Sequence, residues 1–184
     1  MNPGSQWSVE DTDTVLIERW KACDSRAATE LVRRHADALA RFATSAGERE
    51  AIEELVQDTF VRAFTSLDAF RGESSLRTWL FTIERRLMLD RRRAEKRERN
   101  VVSVDKIESA TEYDALDGIV AQETARRVMR AVTSLSPMQH EVFTMRVEQG
   151  MAYKEIATIL ETTEGAARVH YHNAIRAVKE FLDE

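Results

Sequence analysis

The sequence predicts an all-α protein made of two small helical domains joined by a flexible acidic linker. Three observations predict it. Across 184 residues there are only 6 Gly and 2 Pro, too few to punctuate many short strands. Apolar residues recur at three- and four-residue steps before residue 100 and again after residue 119. Between these stretches, from about Ala94 to Leu116, the period fails and charge dominates, basic first and then acidic. The length suits one to two domains at roughly 150 residues each, and 43% apolar residues can fill their cores. The expected division is residues 1–97, a linker over 98–116 with little fixed structure, and residues 117–184.

Taken in order, the first helix holds Val15, Leu16, Arg19 and Trp20, and Cys23-Asp24-Ser25 ends it and caps the next. The second carries a buried stripe of Ala28, Leu31, Val32, His35, Leu39 and Phe42. The third places Ile52, Leu55, Val56, Thr59, Phe60, Ala63, Phe64 and Leu67 at helical period. A break over Asp68 to Glu73 leads to Ser74-Ser75, good cap residues. The fourth helix puts Leu76, Leu80, Ile83 and Leu87 on one face, leaving Arg77, Phe81, Arg85, Arg86, Met88, Arg92 and Arg93 on the others. Helicity resumes with Ile119, Val120, Ala125, Val128, Met129, Val132 and Leu135. Ser136-Pro137 then opens a new helix in cap-then-proline order, and Gln149-Gly150 stops it.

Several function classes are excluded early. A single cysteine, Cys23, forbids an internal disulfide and a Cys-based zinc site, and fits a reducing cytoplasm. No basic segment leads into an apolar run at the N-terminus, so no secretory signal is expected, and no run of about 18 apolar residues predicts a membrane span. No metal, cofactor or catalytic set is expected. His170 and His172 stand two apart on a helix and diverge, His35 and His140 have no evident partner, and Glu53-Glu54 are adjacent and cannot converge on one proton.

Net charge is −5, yet its distribution matters more. Arg71 to Arg99 holds ten Lys/Arg against five Asp/Glu, whereas Asn100 to Glu123 holds one Lys against six acids. Phosphate binding needs a basic patch and not a basic protein. Arg-rich helices are more often plain solvated faces, so the patch needs a companion signal.

The C-terminal residues supply one. Tyr153, Ile156, Ala157 and Leu160 stripe one helix, Glu161-Thr162-Thr163 makes a short turn, and Thr163 caps a helix from Glu164 to about Leu182. At roughly 100° per residue, Ala167, Tyr171, Ala174, Val178 and Leu182 fall together. Opposite lie Gly165, Val169, His172 and Arg176, flanked by Arg168, Asn173 and Lys179. A buried face backing small, amide, imidazole and guanidinium groups suits a major groove, and the short turn reads as helix-turn-helix. By itself the pair reads equally as a helical hairpin with a polar outer face.

Two blocks of residues decide between these readings. Glu54 to Phe64 (ELVQDTFVRAF) followed by Leu67 to Phe81 (LDAFRGESSLRTWLF) resembles region two of the extracytoplasmic-function sigma factors. Leu135 to Phe143 (LSPMQHEVF) followed by Tyr153-Lys154-Glu155-Ile156-Ala157 resembles their region four. The resemblance runs from about residue 13 to 182 with both blocks in order. The first block is highly specific, while the second alone is shared with many bacterial response regulators. It implies a promoter-specificity subunit that binds core RNA polymerase through the largest-subunit clamp and the flap, engages promoter DNA, and is commonly held by an anti-sigma factor.

The resemblance also implies roles for residues. Leu55, Gln57, Asp58 and Arg62 match polymerase-binding positions. The loop Phe70 to Ser75 resembles the pocket that captures a base flipped from the minus-ten strand, where stacking on a ring is worth about 1–3 kcal/mol per base. The implied minus-ten set is Arg62, Ser66, Phe70, Arg71, Gly72, Ser74, Ser75, Phe81, Arg86, Arg92 and Arg93, with Arg91 beside the last two as a phosphate clamp. Trp79 could act as a melting wedge but fits a core residue better. The implied minus-thirty-five set is Lys154, Thr163, Arg168, Val169, His170, His172, Asn173 and Arg176. Of these Arg168, Val169, His172 and Asn173 face base edges, whereas Lys154, Thr163, His170 and Arg176, with Lys179, suit phosphates.

Two departures stand out. His170, Asn173 and Ile175 occupy positions where the family commonly has basic residues, and Glu161-Thr162-Thr163 replaces the usual Gly-Val-Ser. A non-glycine at a left-handed turn position costs on the order of 1 kcal/mol. An atypical upstream promoter sequence is expected. The acidic linker reads equally as a nucleic-acid mimic near the polymerase channel or as a solvated spacer. A stand-alone helix-turn-helix regulator would explain residues 119–182 but leave the Asp58 to Arg93 block unexplained, and a helical adaptor would tolerate charge reversal at Arg168 and Arg176.

Overall fold

The computed structural model describes residues 12–49, 51–101 and 119–183. All regular structure among them is helical: α1 (Asp13–Lys21), α2 (Ser25–Ser45), α3 (Ile52–Thr65), a 3-10 turn (Leu67–Ala69), α4 (Leu76–Val101), α5 (Ile119–Thr133), α6 (Pro137–Val147), α7 (Tyr153–Leu160) and α8 (Glu164–Asp183). The chain divides into two compact units, with the boundary inside α4 between Glu84 and Arg85.

In the first unit α1 lies against α2, and α2 against α3. Asp24 fixes the first corner. Its carboxylate accepts from the Arg26 amide at 3.1 Å, capping α2, and from the Arg19 guanidinium at 2.8 Å, holding the end of α1. Cys23 turns the chain there with φ +66°, and its side chain is exposed. Leu16, Leu31, Leu39, Phe42, Leu55 and Leu80 are fully buried, each such side chain contributing about 1.5–3 kcal/mol by leaving water. The stripe on α2 runs through Ala27, where periodicity placed Ala28, because Ala28 lies at the edge of the packed face. His35 closes the α1–α2 contact, its Nε2 2.8 Å from Asp13 Oδ2. That hydrogen bond, assisted by Arg34, holds the Asp13 carboxyl below the usual carboxylate range.

Helix α4 departs from expectation twice. It buries a broad arc instead of one stripe: Leu76, Thr78, Leu80, Phe81, Ile83, Glu84 and Met88 all leave solvent. Phe81 and Met88, assigned to outer faces, therefore belong to the interior, and the Phe81 ring packs 5.0 Å from Phe42. The helix also runs on to Val101, into the stretch over 98–116 expected to be a linker with little fixed structure. Ala94, Glu95, Lys96 and Arg97 are strong helix formers, so propensity carries a solvated helix onward after the apolar pattern stops. The rest of the expected linker lies outside the described residues.

In the second unit α8 is the hub, with α5, α6 and α7 packed against it. Ala131, Leu135, Ala174 and Val178 form one core cluster. Met145, Ile156, Ile159 and Ala167 are buried with them in the unit. The start of α6 is capped as its sequence requires, the Ser136 amide donating to Gln139 Oε1 at 3.2 Å.

Candidate nucleic-acid interface

In the first unit the 3-10 turn delivers the chain into a cavity of about 370 Å³ lined by Ala69, Phe70, Arg71, Glu73, Ser74 and Trp79. That volume falls within the roughly 300–1,000 Å³ of small-ligand sites. Its apolar wall is an aromatic pair, Phe70 and Trp79, with centroids 5.1 Å apart and planes 44° to one another. Opposite charges from Arg71 and Glu73 and the Ser74 hydroxyl supply polar edges. Gly72 sits at φ +72°, a conformation side chains resist, which lets the loop reverse. Ser75 is spent locally: its Oγ accepts from the Thr78 amide at 3.1 Å and fixes the start of α4. An aromatic wall with mixed polar edges suits an unstacked base better than a metal or a phosphate. Trp79, expected in the core, is instead half-buried and lines this cavity.

The other residues matched to this surface divide. Phe81 is 0% exposed and cannot meet DNA directly, so its assignment is corrected to core. Ser66 donates to the Arg62 carbonyl at 2.6 Å, closing the end of α3. Arg86 is exposed and pairs with Glu161 at 2.9 Å. Arg92 and Arg93 are exposed, Arg93 pairing with Asp90 at 3.2 Å, while Arg91 is half-buried.

On α3, Gln57, Asp58, Val61 and Arg62 share an exposed face. Leu55 does not belong to it. It is 0% exposed, and its assignment to a partner surface is corrected to core, because the family position marks the helix while the burial is set by the facing α2. Val61, 62% exposed amid polar neighbours, was missed. The legible signal was an apolar residue four after Gln57 on an otherwise polar face.

In the second unit the short turn is left-handed at Glu161 (φ +54°), a conformation that glycine would adopt without the cost a Cβ imposes. Thr163 Oγ1 accepts from the Ala166 amide at 3.1 Å and caps α8. The helix then separates as its periodicity predicted. Ala167, Ala174 and Val178 are buried, while Gly165, Arg168, Val169, His172, Arg176 and Lys179 are exposed. His170 and Asn173 are half-buried on its flanks, and Lys154 is exposed at the start of α7. Val169 is 58% exposed, an apolar side chain on the outward ridge. Arg168 pairs with Glu164 one turn earlier and lies 4.9 Å from the Tyr153 ring centroid. Arg176 reaches Glu180 at 3.9 Å. Neither Tyr153 nor Glu164 was singled out from sequence for a role here, although the four-residue spacing of Glu164 and Arg168 was readable.

A capped helix with one buried face and a ridge of guanidinium, imidazole and small side chains, preceded by a three-residue turn, defines a helix-turn-helix DNA-binding protein. Comparisons narrow the class. Residues 31–98 match the Sigma-70 region 2 family and residues 125–178 match Sigma-70, region 4. The ECF RNA polymerase sigma-E factor of Salmonella typhimurium is 27% identical over 176 residues, covering 91% of this chain and 92% of the relative. That of Haemophilus influenzae is 28% identical over 166 residues, covering 85% and 88%. Among solved structures, the sigma factor RpoE of Bartonella quintana, in complex with the anti-sigma factor NepR, superposes with a TM-score of 0.71 at 28% identity. It covers 84% of this chain and 96% of its own. CnrH in complex with the cytosolic domain of CnrY gives 0.66 at 28% identity, covering 93% and 97%. The chain belongs to the extracytoplasmic-function sigma factors of the sigma-70 family. It is an alternative sigma factor that directs transcription by RNA polymerase, and not a stand-alone regulator.

Proposed function

We propose that the two ends of the chain divide promoter recognition between them. Residues 1–97 form the part that docks on polymerase and opens the minus-ten element, residues 98–116 the linker, and residues 117–184 the part that reads the minus-thirty-five element. The exposed face of α3, with Gln57, Asp58, Val61 and Arg62, meets the largest-subunit clamp, and residues of 117–184 meet the flap. The Phe70–Trp79 cavity receives one base flipped from the non-template strand. Unstacking a base costs a few kcal/mol, and stacking on aromatic side chains returns about 1–3 kcal/mol per base. Arg71, Ser74 and the Gly72 backbone meet the captured nucleotide, and Arg86, Arg92 and Arg93 hold phosphates beyond it. On α8, Arg168, Val169, His172 and Asn173 read base edges, while Lys154, Thr163, His170, Arg176 and Lys179 hold the backbone.

This chain performs no covalent chemistry of its own in that scheme; RNA synthesis stays with core polymerase. Its work is in the cytoplasm, consistent with a single cysteine and with no described helix long and apolar enough to cross a membrane. Two related structures were solved with anti-sigma partners, and a protein of that kind is proposed to hold this chain inactive.

The observation that carries this reading is the aromatic cavity at the region 2 match, which has the chemistry of a base receptor. Phe70→Ala tests it. Holoenzyme assembly should be unchanged, while promoter opening, read by permanganate reactivity of unpaired thymines, should fall by about ten-fold, the equivalent of about 1.4 kcal/mol. Unchanged opening with Phe70→Ala would remove the base-capture role.

A further inference from the structure

Beside the outward ridge of α8 sits a small assembly of side chains from α6, α7 and α8. Tyr153, the first residue of α7, is held from several sides. The Arg146 guanidinium lies 4.8 Å from its ring centroid and is itself tethered, its Nη1 donating to the Met151 carbonyl at 2.7 Å. Tyr171, on α8, meets the ring edge-on at 5.9 Å. Against this fixed plate rests Arg168, whose guanidinium also pairs with Glu164. Arg168 and Glu164 are both exposed, with 61% and 46% of their side chains open to solvent.

An exposed pair of this kind adds little to stability, because water screens it and two side chains must be ordered. Its effect on recognition is larger. A free arginine on a recognition helix can bond a phosphate or a guanine edge, and the phosphate choice carries no sequence information. A carboxylate beside the guanidinium repels a phosphate, whereas the O6 and N7 of guanine are neutral acceptors that a fixed guanidinium fork can meet together. The ring limits the swing of the side chain, so less freedom is lost on contact. Glu164, in the first turn of α8, is itself favoured there by the helix dipole.

We propose that Tyr153 and Glu164 are positioning residues acting through Arg168, which they commit to a guanine edge in the upstream promoter element in place of a phosphate. The inference rests on the reading of α8 as the upstream reader and adds the base and the means of selecting it.

The test uses holoenzyme assembled from the full chain and core polymerase, challenged with promoters randomised across the upstream element. Wild type should enrich guanine at one position by about ten-fold or more over the other bases. Arg168→Lys should lose that preference at that position alone. Glu164→Gln should reduce it about three- to ten-fold, and should steepen the slope of log affinity against log salt by about one, as a freed arginine takes a phosphate. Tyr153→Leu should reduce the same preference, and Tyr153→Phe should retain it. A lost preference in Arg168→Lys with an intact one in Glu164→Gln and Tyr153→Leu overturns the positioning role, as does an unchanged profile in Arg168→Lys. No upstream preference in wild type overturns the reading of α8 itself. Glu164→Gln lies on the surface, so the test does not depend on Tyr153→Leu folding.

Discussion

Glu161 and Glu84 are each placed at a cost, for different reasons. Glu161 holds φ +54° in the helix-turn-helix corner, where a Cβ is disfavoured by about 1 kcal/mol. Its pair with Arg86 is solvent-exposed and offsets little of that. Glu161→Gly is expected to raise the melting temperature of the second unit by about 4–8 °C, the shift expected for 1 kcal/mol in a domain of this size, measured by calorimetry. Glu84 is 0% exposed, and neither carboxyl oxygen has a hydrogen-bond partner. Burial pushes its carboxyl up from 4.5 to about 9. The folded state thus holds a proton that the unfolded chain releases above about pH 4.5, so the contribution of Glu84 to stability is fullest below that pH and is lost as pH rises through about 9. Glu84→Leu is expected to add about 1–3 kcal/mol near neutral pH and to flatten the decline. Denaturant titrations at pH 5 and pH 8 would measure both effects; an equally steep decline in the variant would contradict the assignment.

At the scale of elements, α8 was the most legible part of the sequence and α4 the least. On α8 a clean 3.6-residue period separates Ala167, Ala174 and Val178 from Val169, His172 and Arg176, so both faces could be assigned without a structure. The Glu161 corner was also readable, from the absent glycine. On α4 the arginines at 77, 85 and 86 suggested wide exposure, yet the helix buries Phe81, Glu84 and Met88 in addition to its main stripe. Periodicity finds one stripe; it does not report that a helix is covered on more than one side. Leu55 failed for a related reason, since likeness to a binding helix does not say which of its residues face the partner. The exposed face of α3, which includes Val61, is the partner surface proposed in its place. Val61→Glu is expected to weaken binding to core polymerase by about ten-fold or more, about 1.4 kcal/mol, with no change in melting temperature. Fluorescence titration of labelled chain with core enzyme would show it.

For the whole molecule, charge placement matters more than charge total. A chain of net −5 is a poor ligand for duplex DNA on its own, yet ten basic residues lie between Arg71 and Arg99, running from the cavity loop along α4. Affinity for promoters is therefore expected to depend on docking to the polymerase, which supplies the scaffold for the two proposed DNA-binding surfaces. The chain is expected to give core RNA polymerase a start site it lacks alone. Run-off transcription with purified core enzyme, with and without the chain, on promoter fragments recovered from the holoenzyme measures this. A discrete transcript should appear only when the chain is present; a folded chain that neither binds core enzyme nor yields such a transcript would rule out a sigma-factor role.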